Sequence, residues 1–212
     1  MNLIAFDIDG VVLDIKIGGF KYLAKSIGKE KEMLAIDAEY QRRKHFGPWG
    51  LEELAALLQG CEYNTLKNIA SKLVKENLMP GFLELVQEIK NHQDQIVLVS
   101  SNPLVISEYI KETYGLDYVI GTEQESLNGI CTGKILRKVD RYSKKERLQE
   151  VIANKHFEKI FIIGDSLTDL PMAELGSFIA FNCLDDNVRE QADYIIQEKD
   201  LSQIIKVIYE TN

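Results

Sequence analysis

Short apolar runs that end in polar residues recur along the chain. They are Leu3–Phe6, Ile96–Val99, Tyr118–Ile120, Ile160–Ile163, Phe178–Phe181 and Tyr194–Ile196. Continuous apolar runs of this length are typical of strands that are buried on both faces of a sheet. Patterns of helical period lie between them, and one from Leu201 to Tyr209 closes the chain. This alternation predicts an α/β fold with a doubly wound parallel sheet.

One long region departs from the alternation. From about Gly18 to Asn77, apolar residues recur at three- and four-residue steps and no strand pattern interrupts them. Such steps place the apolar residues on one face of a helix. We interpret residues 15–78 as a small helical cap domain inserted into a core domain made of residues 1–14 and 79–212.

Two local signals concern the second half of the chain. Asn128-Gly129 lies between alternating segments of residues 122–134, which predicts a β-hairpin. Ser143 has Glu146 three residues later, a spacing that predicts a capping box at a helix start.

Composition and charge restrict the classes of partner and the compartment. The chain has 212 residues and a formal net charge of −8, which argues against non-specific binding to nucleic acid or a membrane surface. Three separated cysteines indicate a reducing compartment, and the first apolar run is too short for a signal peptide. We therefore expect a cytoplasmic monomer or homodimer that binds a small molecule, with no nucleic-acid or membrane partner.

Polar residues follow three of the predicted strands. They are Asp7 and Asp9, then Ser100, then Asp165 and Asp169; in addition, Lys144 or Lys145 opens the helix before the last of these strands. Ligands of open α/β sheets bind at the carboxyl ends of the strands, so these side chains are candidates for one site.

Several carboxylates in one cleft repel each other unless a cation lies among them. Mg²⁺ prefers oxygen ligands, usually one or two carboxylates together with water and a substrate phosphate. We expect Asp7 and Asp165 to be metal ligands, and Asp9 to contribute through its side chain or its backbone carbonyl.

Four motifs together resemble the haloacid dehalogenase-like (HAD) hydrolase superfamily, and most closely its phosphoserine-phosphatase-like branch. They are Asp7-Ile8-Asp9-Gly10-Val11-Val12, the strand that ends at Ser100, Lys144 with Leu148 four residues later, and Gly164-Asp165-Ser166-Leu167-Thr168-Asp169. The segment Leu78-Met79-Pro80-Gly81 also looks like that branch. The resemblance implies a Rossmann-like core, a helical cap after the first motif, Mg²⁺, and hydrolysis of phosphomonoesters.

The resemblance also implies a role for each matching residue. Asp7 would be the nucleophile and form an aspartyl-phosphate, and Asp9 would be the general acid and base. Lys144, preferred to Lys145 because of its spacing to Leu148, would bind the phosphate together with Gly10, Ser100 and Ser101. Asp7, Asp9 and Asp165 would hold the metal, and Asp169 would lie behind it or act as a further ligand.

The chain departs from phosphoserine phosphatases where those enzymes recognise serine. Residues 14–20 contain no Glu, the cap contains no Arg after Pro48, and Thr168 replaces an Asn of the family pattern. We therefore expect another small phosphorylated metabolite, neutral or anionic, for which Lys16 is better suited. Two alternatives stay open, a phosphomutase or phosphotransferase of the same fold and a catalytically idle phosphometabolite-binding protein.

The aromatic segment of the cap has two interpretations. Phe46, Pro48 and Trp49 either line a substrate pocket or form a packed turn.

Overall fold

The computed structural model of the protein describes residues 1–43, 46 and 49–210. Its strands are β1 (Leu3–Phe6), β2 (Gln95–Pro103), β3 (Tyr118–Leu127), β4 (Ile130–Arg137), β5 (Ile160–Gly164), β6 (Ser177–Phe181) and β7 (Tyr194–Ile196). Its α-helices are α1 (Gly19–Ser26), α2 (Glu30–Arg43), α3 (Leu51–Ala56), α4 (Tyr63–Asn77), α5 (Phe82–Asn91), α6 (Leu104–Tyr114), α7 (Lys144–Ile152) and α8 (Asp186–Arg189). Each apolar run of the sequence therefore forms a strand, and β2 and β3 extend beyond their runs.

The seven strands form one sheet with the order β4-β3-β2-β1-β5-β6-β7. The first strand is central and pairs in parallel with β2 on one side and β5 on the other. All pairings are parallel except that of β3 with β4. The predicted doubly wound α/β fold is confirmed, and the carboxyl ends of β1, β2 and β5 lie side by side.

Side chains of the sheet alternate between two apolar cores. Phe6 belongs to the core on one face, where its ring meets the ring of Phe82 edge-on at 6.4 Å between centroids. Leu3 and Ala5 belong to the core on the other face, together with Leu148 of α7. Because successive strand residues point to opposite faces, one short strand supports both layers and holds the end of β1 in place.

Helices α1 to α4 occupy the region between β1 and α5. The chain enters and leaves this region at one place, because the Asp14 amide donates to the Asn77 carbonyl at 2.8 Å and the Met79 amide donates to the Val12 carbonyl at 2.9 Å. The division into a core of residues 1–14 and 79–212 and a cap of residues 15–78 stays a prediction, and this crossing point is where its boundaries fall.

The predicted β-hairpin is confirmed, whereas the prediction of a capping box at Ser143 is wrong. Asn128 and Gly129 have φ values of 53° and 80°, which suit the tight turn between β3 and β4. Ser143 precedes α7 with helical rather than extended backbone angles, and its side chain makes no cap bond. Instead, its hydroxyl donates to a carboxylate oxygen of Asp140 at 3.1 Å, so the hydroxyl closes the preceding turn.

The last apolar pattern is helical but irregular. Leu201–Gln203 form a 3₁₀ turn and Lys206–Glu210 form a π-helical turn. Within the described ranges, no helix combines the length and the apolar character that crossing a membrane requires.

Candidate active site

The strand ends bring the predicted residues into one polar cavity. Asp7 follows β1, Ser100 lies near the end of β2, and Asp165 follows β5. The cavity is lined by these three residues together with Asp9, Ile15, Lys16, Ser101, Lys144, Ser166 and Thr168. Gly10 lines a neighbouring cavity that also contains Asp165.

The Lys144 ammonium lies between two buried carboxylates. Its Nζ donates to Asp7 Oδ1 at 2.8 Å and to Asp169 Oδ1 at 2.7 Å, and the three side chains are at most 8% exposed. Burial by itself would lower the pKa of Lys144, but Asp169 and Asp7 outweigh this effect and hold the pKa above its ordinary value. Lys144 is therefore a permanent cation beside Asp7. Lys145 instead pairs with the exposed Glu174 at the surface.

Asp169 is fully buried and closes the loop after β5. Its Oδ2 accepts hydrogen bonds from the Ser166 amide at 3.2 Å and the Ser166 hydroxyl at 3.0 Å, while Oδ1 binds Lys144. A Cβ on Gly164 would lie 2.5 Å from the Asp169 Cβ, so only glycine allows this close return of the chain. Asp169 therefore positions Lys144 and the loop that carries Asp165.

Three carboxylates fit a divalent metal ion. Oxygens of Asp7, Asp165 and Asp169 lie within 4.8 Å of one another. Burial, followed by the charge of Asp169, raises the pKa of Asp7 and raises that of Asp165 to about 6. A divalent ion would relieve this repulsion, and hard carboxylate oxygens are the donors that Mg²⁺ prefers. A Cβ on Gly10 would meet Asp165 Oδ2 at 2.1 Å, so the glycine leaves room for that carboxylate.

The Asp9 carboxylate is outside this group and is held by a residue that sequence reasoning missed. Asn102 Nδ2 donates to Asp9 Oδ1 at 2.7 Å, while Asn102 Oδ1 accepts from the Gly19 amide at 2.7 Å. Asn102 is buried, and its backbone amide donates to Ser100 Oγ. The asparagine thus connects Asp9 to the first turn of α1. Its position two residues after Ser100 was the only available signal in the sequence.

Of the aromatic segment predicted either to line a substrate pocket or to form a packed turn, one residue lines a cavity and another is exposed. Trp49 lines a second cavity beside the acidic one, whereas Phe46 is 88% exposed. Pro48 lies outside the described residues.

Removing the buried ammonium should destabilise the fold. We expect Lys144→Met to lower the free energy of unfolding by about 3–5 kcal/mol, because Asp7 and Asp169 would be left as buried, unpaired carboxylates. Urea unfolding in metal-free buffer measures this difference. The matched variant Lys145→Met removes an exposed pair and should change the same free energy by less than about 1 kcal/mol. Equal effects of the two variants would contradict the central position of Lys144.

The sequence is similar to known proteins over nearly its whole length. A phosphoserine phosphatase of Archaeoglobus fulgidus is 31% identical over 211 residues, which are 98% of this chain and 60% of that protein. A phosphoserine phosphatase of Methanocaldococcus jannaschii is 27% identical, and the match covers 98% of this chain and 97% of that protein. The chain thus spans about three fifths of the first relative and nearly all of the second.

Solved structures have the same fold. A HAD family hydrolase from Salmonella enterica subsp. enterica serovar Typhi has a TM-score of 0.85 and 24% identity, covering 100% of this chain and 72% of its own. A phospho-aspartyl intermediate analogue of phosphoserine phosphatase has a TM-score of 0.77 and 24% identity, covering 97% of both chains. A family model for haloacid dehalogenase-like hydrolases matches residues 4–174, a range that contains Asp7, Lys144 and Asp169. The chain belongs to the haloacid dehalogenase-like hydrolase family.

Proposed function

We propose that the protein is a Mg²⁺-dependent phosphomonoesterase that hydrolyses a small phosphorylated metabolite through an aspartyl-phosphate on Asp7. The observation that carries this proposal is the contact of the Lys144 ammonium with only one oxygen of Asp7. Asp7 Oδ2 receives no hydrogen bond from any described residue, so one oxygen is held and the other is left to attack phosphorus.

Charge repulsion is the main obstacle to such an attack. A carboxylate that approaches a phosphate dianion is repelled by about 1 kcal/mol per pair of unit charges at ~4 Å in water, and by several times more in a cleft of lower polarity. Lys144 and the Ser100 hydroxyl offset this repulsion by stabilising the equatorial phosphate oxygens. Mg²⁺, held by Asp7 and Asp165 with Asp169 behind them or as a further ligand, would supply additional positive charge at the phosphate.

Asp9 is suited to transfer the protons. Burial raises its pKa to about 6, although the hydrogen bond from Asn102 lowers it. A carboxyl group with a pKa near the working pH is an effective acid and base. As Asp7 forms its bond to phosphorus, Asp9 gives a proton to the departing alkoxide. Asp9 then takes a proton from the water that attacks the aspartyl-phosphate and releases inorganic phosphate.

The cavity beside the acidic site supports a substrate other than phosphoserine. An ammonium group would need a free carboxylate, but Asp37 pairs with Lys21 and Glu52 pairs with Lys138. Asp140 also lies 3.8 Å from Lys138 and accepts two backbone amides of its own turn. Apart from Asp9, each described acidic residue of this cavity is therefore already held by Lys21, by Lys138 or by backbone amides. The three cysteines are free thiols, which supports our proposal of a cytoplasmic location.

Metal removal and loss of Asp7 test the proposed reaction. With p-nitrophenyl phosphate, we expect EDTA to abolish phosphate release, Mg²⁺ to restore it, and Asp7→Asn to be inactive, because an amide is a poor nucleophile. Asp14→Asn, which alters an exposed carboxylate paired with Lys199, is the control and should retain activity. Activity that is unaffected by EDTA, or that persists in Asp7→Asn, would contradict the proposal.

Loss of the Asn102 side chain should lower the rate most for substrates whose leaving group needs a proton. We expect Asn102→Ala to lower kcat for an alkyl phosphate by ~10–100-fold, because a misplaced Asp9 protonates the alkoxide poorly. Hydrolysis of p-nitrophenyl phosphate should fall much less, since p-nitrophenolate leaves without a proton. Asn91→Ala, at the exposed end of α5, is the control. Equal losses for both esters would show that Asn102 has only a structural role.

A further inference from the structure

A second cavity adjoins the acidic site and is suited to hold the leaving group of the substrate. It has a volume of about 300 Å³ and lies between α1, α2 and α3 on one side and residues 138–142 on the other. The two cavities share Asp9, Lys16, Ser101 and Thr168 as lining residues. A phosphomonoester with its phosphate at Asp7 would therefore extend its alcohol part into this second cavity.

Arg141 presents to this cavity a guanidinium that forms no ion pair with any described carboxylate. Its guanidinium donates to the Tyr40 hydroxyl and lies 5.6 Å from the centre of the Tyr40 ring and 5.5 Å from that of the Tyr142 ring. These contacts fix the guanidinium by hydrogen bonding and cation–π attraction without any formal negative charge. The other arginines of the chain each form an ion pair with a carboxylate; they are Arg42, Arg43, Arg137, Arg147 and Arg189.

Lys16 is a second cation without an ionic partner. It is exposed on the segment between β1 and α1, and it lines both the acidic cavity and the second cavity. It forms no ion pair or hydrogen bond with any residue of the described ranges, and the six residues outside those ranges include no acidic side chain. Lys16 and Arg141 also line a third cavity together, beside Asp165.

This cavity therefore contains two cations, Arg141 and Lys16, that have no ion-pair partner among the described residues, although the chain has a net charge of −8. Cationic groups that converge on a cavity repel an ammonium group and attract an anion, and a guanidinium that is already held in place binds carboxylate or phosphate with little ordering cost. Asp37 pairs with Lys21 and Glu52 pairs with Lys138. The other two carboxylates of this cavity, Asp9 and Asp140, accept hydrogen bonds from Asn102 and from backbone amides, and neither forms an ion pair with Arg141 or Lys16.

We propose that the alcohol part of the substrate carries a second anionic group, a carboxylate or a second phosphate, which Arg141 and Lys16 bind while the body of the alcohol packs against Tyr40 and Trp49. This inference rests on the proposed phosphatase function and names the substrate class of the same site. The substrate would thus be a dianionic phosphomonoester with an additional negative charge remote from the scissile bond.

A matched series of aryl phosphates tests the charge of the leaving group. The probes are phenyl phosphate, 4-carboxyphenyl phosphate, benzene-1,4-diyl bisphosphate and 4-(aminomethyl)phenyl phosphate, each assayed with Mg²⁺ for kcat/KM. We expect one of the two anionic esters to exceed phenyl phosphate by about tenfold, the change in rate that ~1.4 kcal/mol produces. Whether the carboxylate or the bisphosphate is preferred identifies the kind of anion.

Variants then assign the preference to the two cations. Arg141→Gln and Lys16→Gln should each reduce the ratio of kcat/KM between the preferred anionic ester and phenyl phosphate, and the double variant should bring it close to one. The ratio cancels the intrinsic reactivity of each ester, because that reactivity is the same for every variant. Arg137→Gln, which removes an exposed arginine paired with Glu150, is the matched control and should retain the ratio.

The outcomes separate the two proposals. If phenyl phosphate is not hydrolysed at all, the phosphatase function itself fails. If phenyl phosphate is hydrolysed but neither anionic ester is preferred, or if the aminomethyl ester is preferred, the anion site is overturned while the phosphatase function stands. A preference that survives the double variant would also overturn the assignment to Arg141 and Lys16.

Discussion

The contact of the Lys144 ammonium with two buried carboxylates is the interaction on which the site depends. Asp7 follows β1 and Asp169 lies in the loop after β5, and without this cation both carboxylates would be buried without an ionic partner. The lysine holds one oxygen of Asp7 and, through Asp169, fixes the loop that carries Asp165. The same three side chains therefore determine the stability of this region, the direction in which Asp7 faces and the place where a metal ion fits.

The order of the strands explains how a small number of residues can form the site. The central strand β1 has β2 and β5 as neighbours, so the residues at the carboxyl ends of these three strands lie close together in space. The helices inserted after β1 then add a second wall, and Asn102 links that wall to Asp9. In the proposed reaction, the residues at the strand ends act on the phosphate, and the cavity between helices α1 to α3 and residues 138–142 selects the alcohol part of the substrate.

Much of the fold was predictable because its strands are short, continuous apolar runs, and the candidate site was predictable because polar residues end three of those runs. Lys144 was also predictable from the family resemblance, because its spacing to Leu148 matches the family pattern and Lys145 has no leucine at that spacing. The role of Asn102 was not, because it depends on a backbone amide of Gly19 that is 83 residues away in sequence. The contact of Arg141 with Tyr40 joins residues 101 positions apart and likewise leaves no local signal. At Ser143 the local signal was present but misleading. The spacing to Glu146 predicted a capping box, whereas the Ser143 hydroxyl donates to Asp140 in the preceding turn.

The central claim is that Asp7, held by Lys144, accepts the phosphoryl group. Acid quenching during turnover of a phosphomonoester with Mg²⁺, followed by peptide mass spectrometry, tests it most directly. We expect a phosphoryl group on the peptide that contains Asp7, labile to hydroxylamine and formed as fast as the alcohol is released. A phosphoryl group on another residue, or release of alcohol and phosphate together with no labelled peptide in a single-turnover experiment, would contradict it.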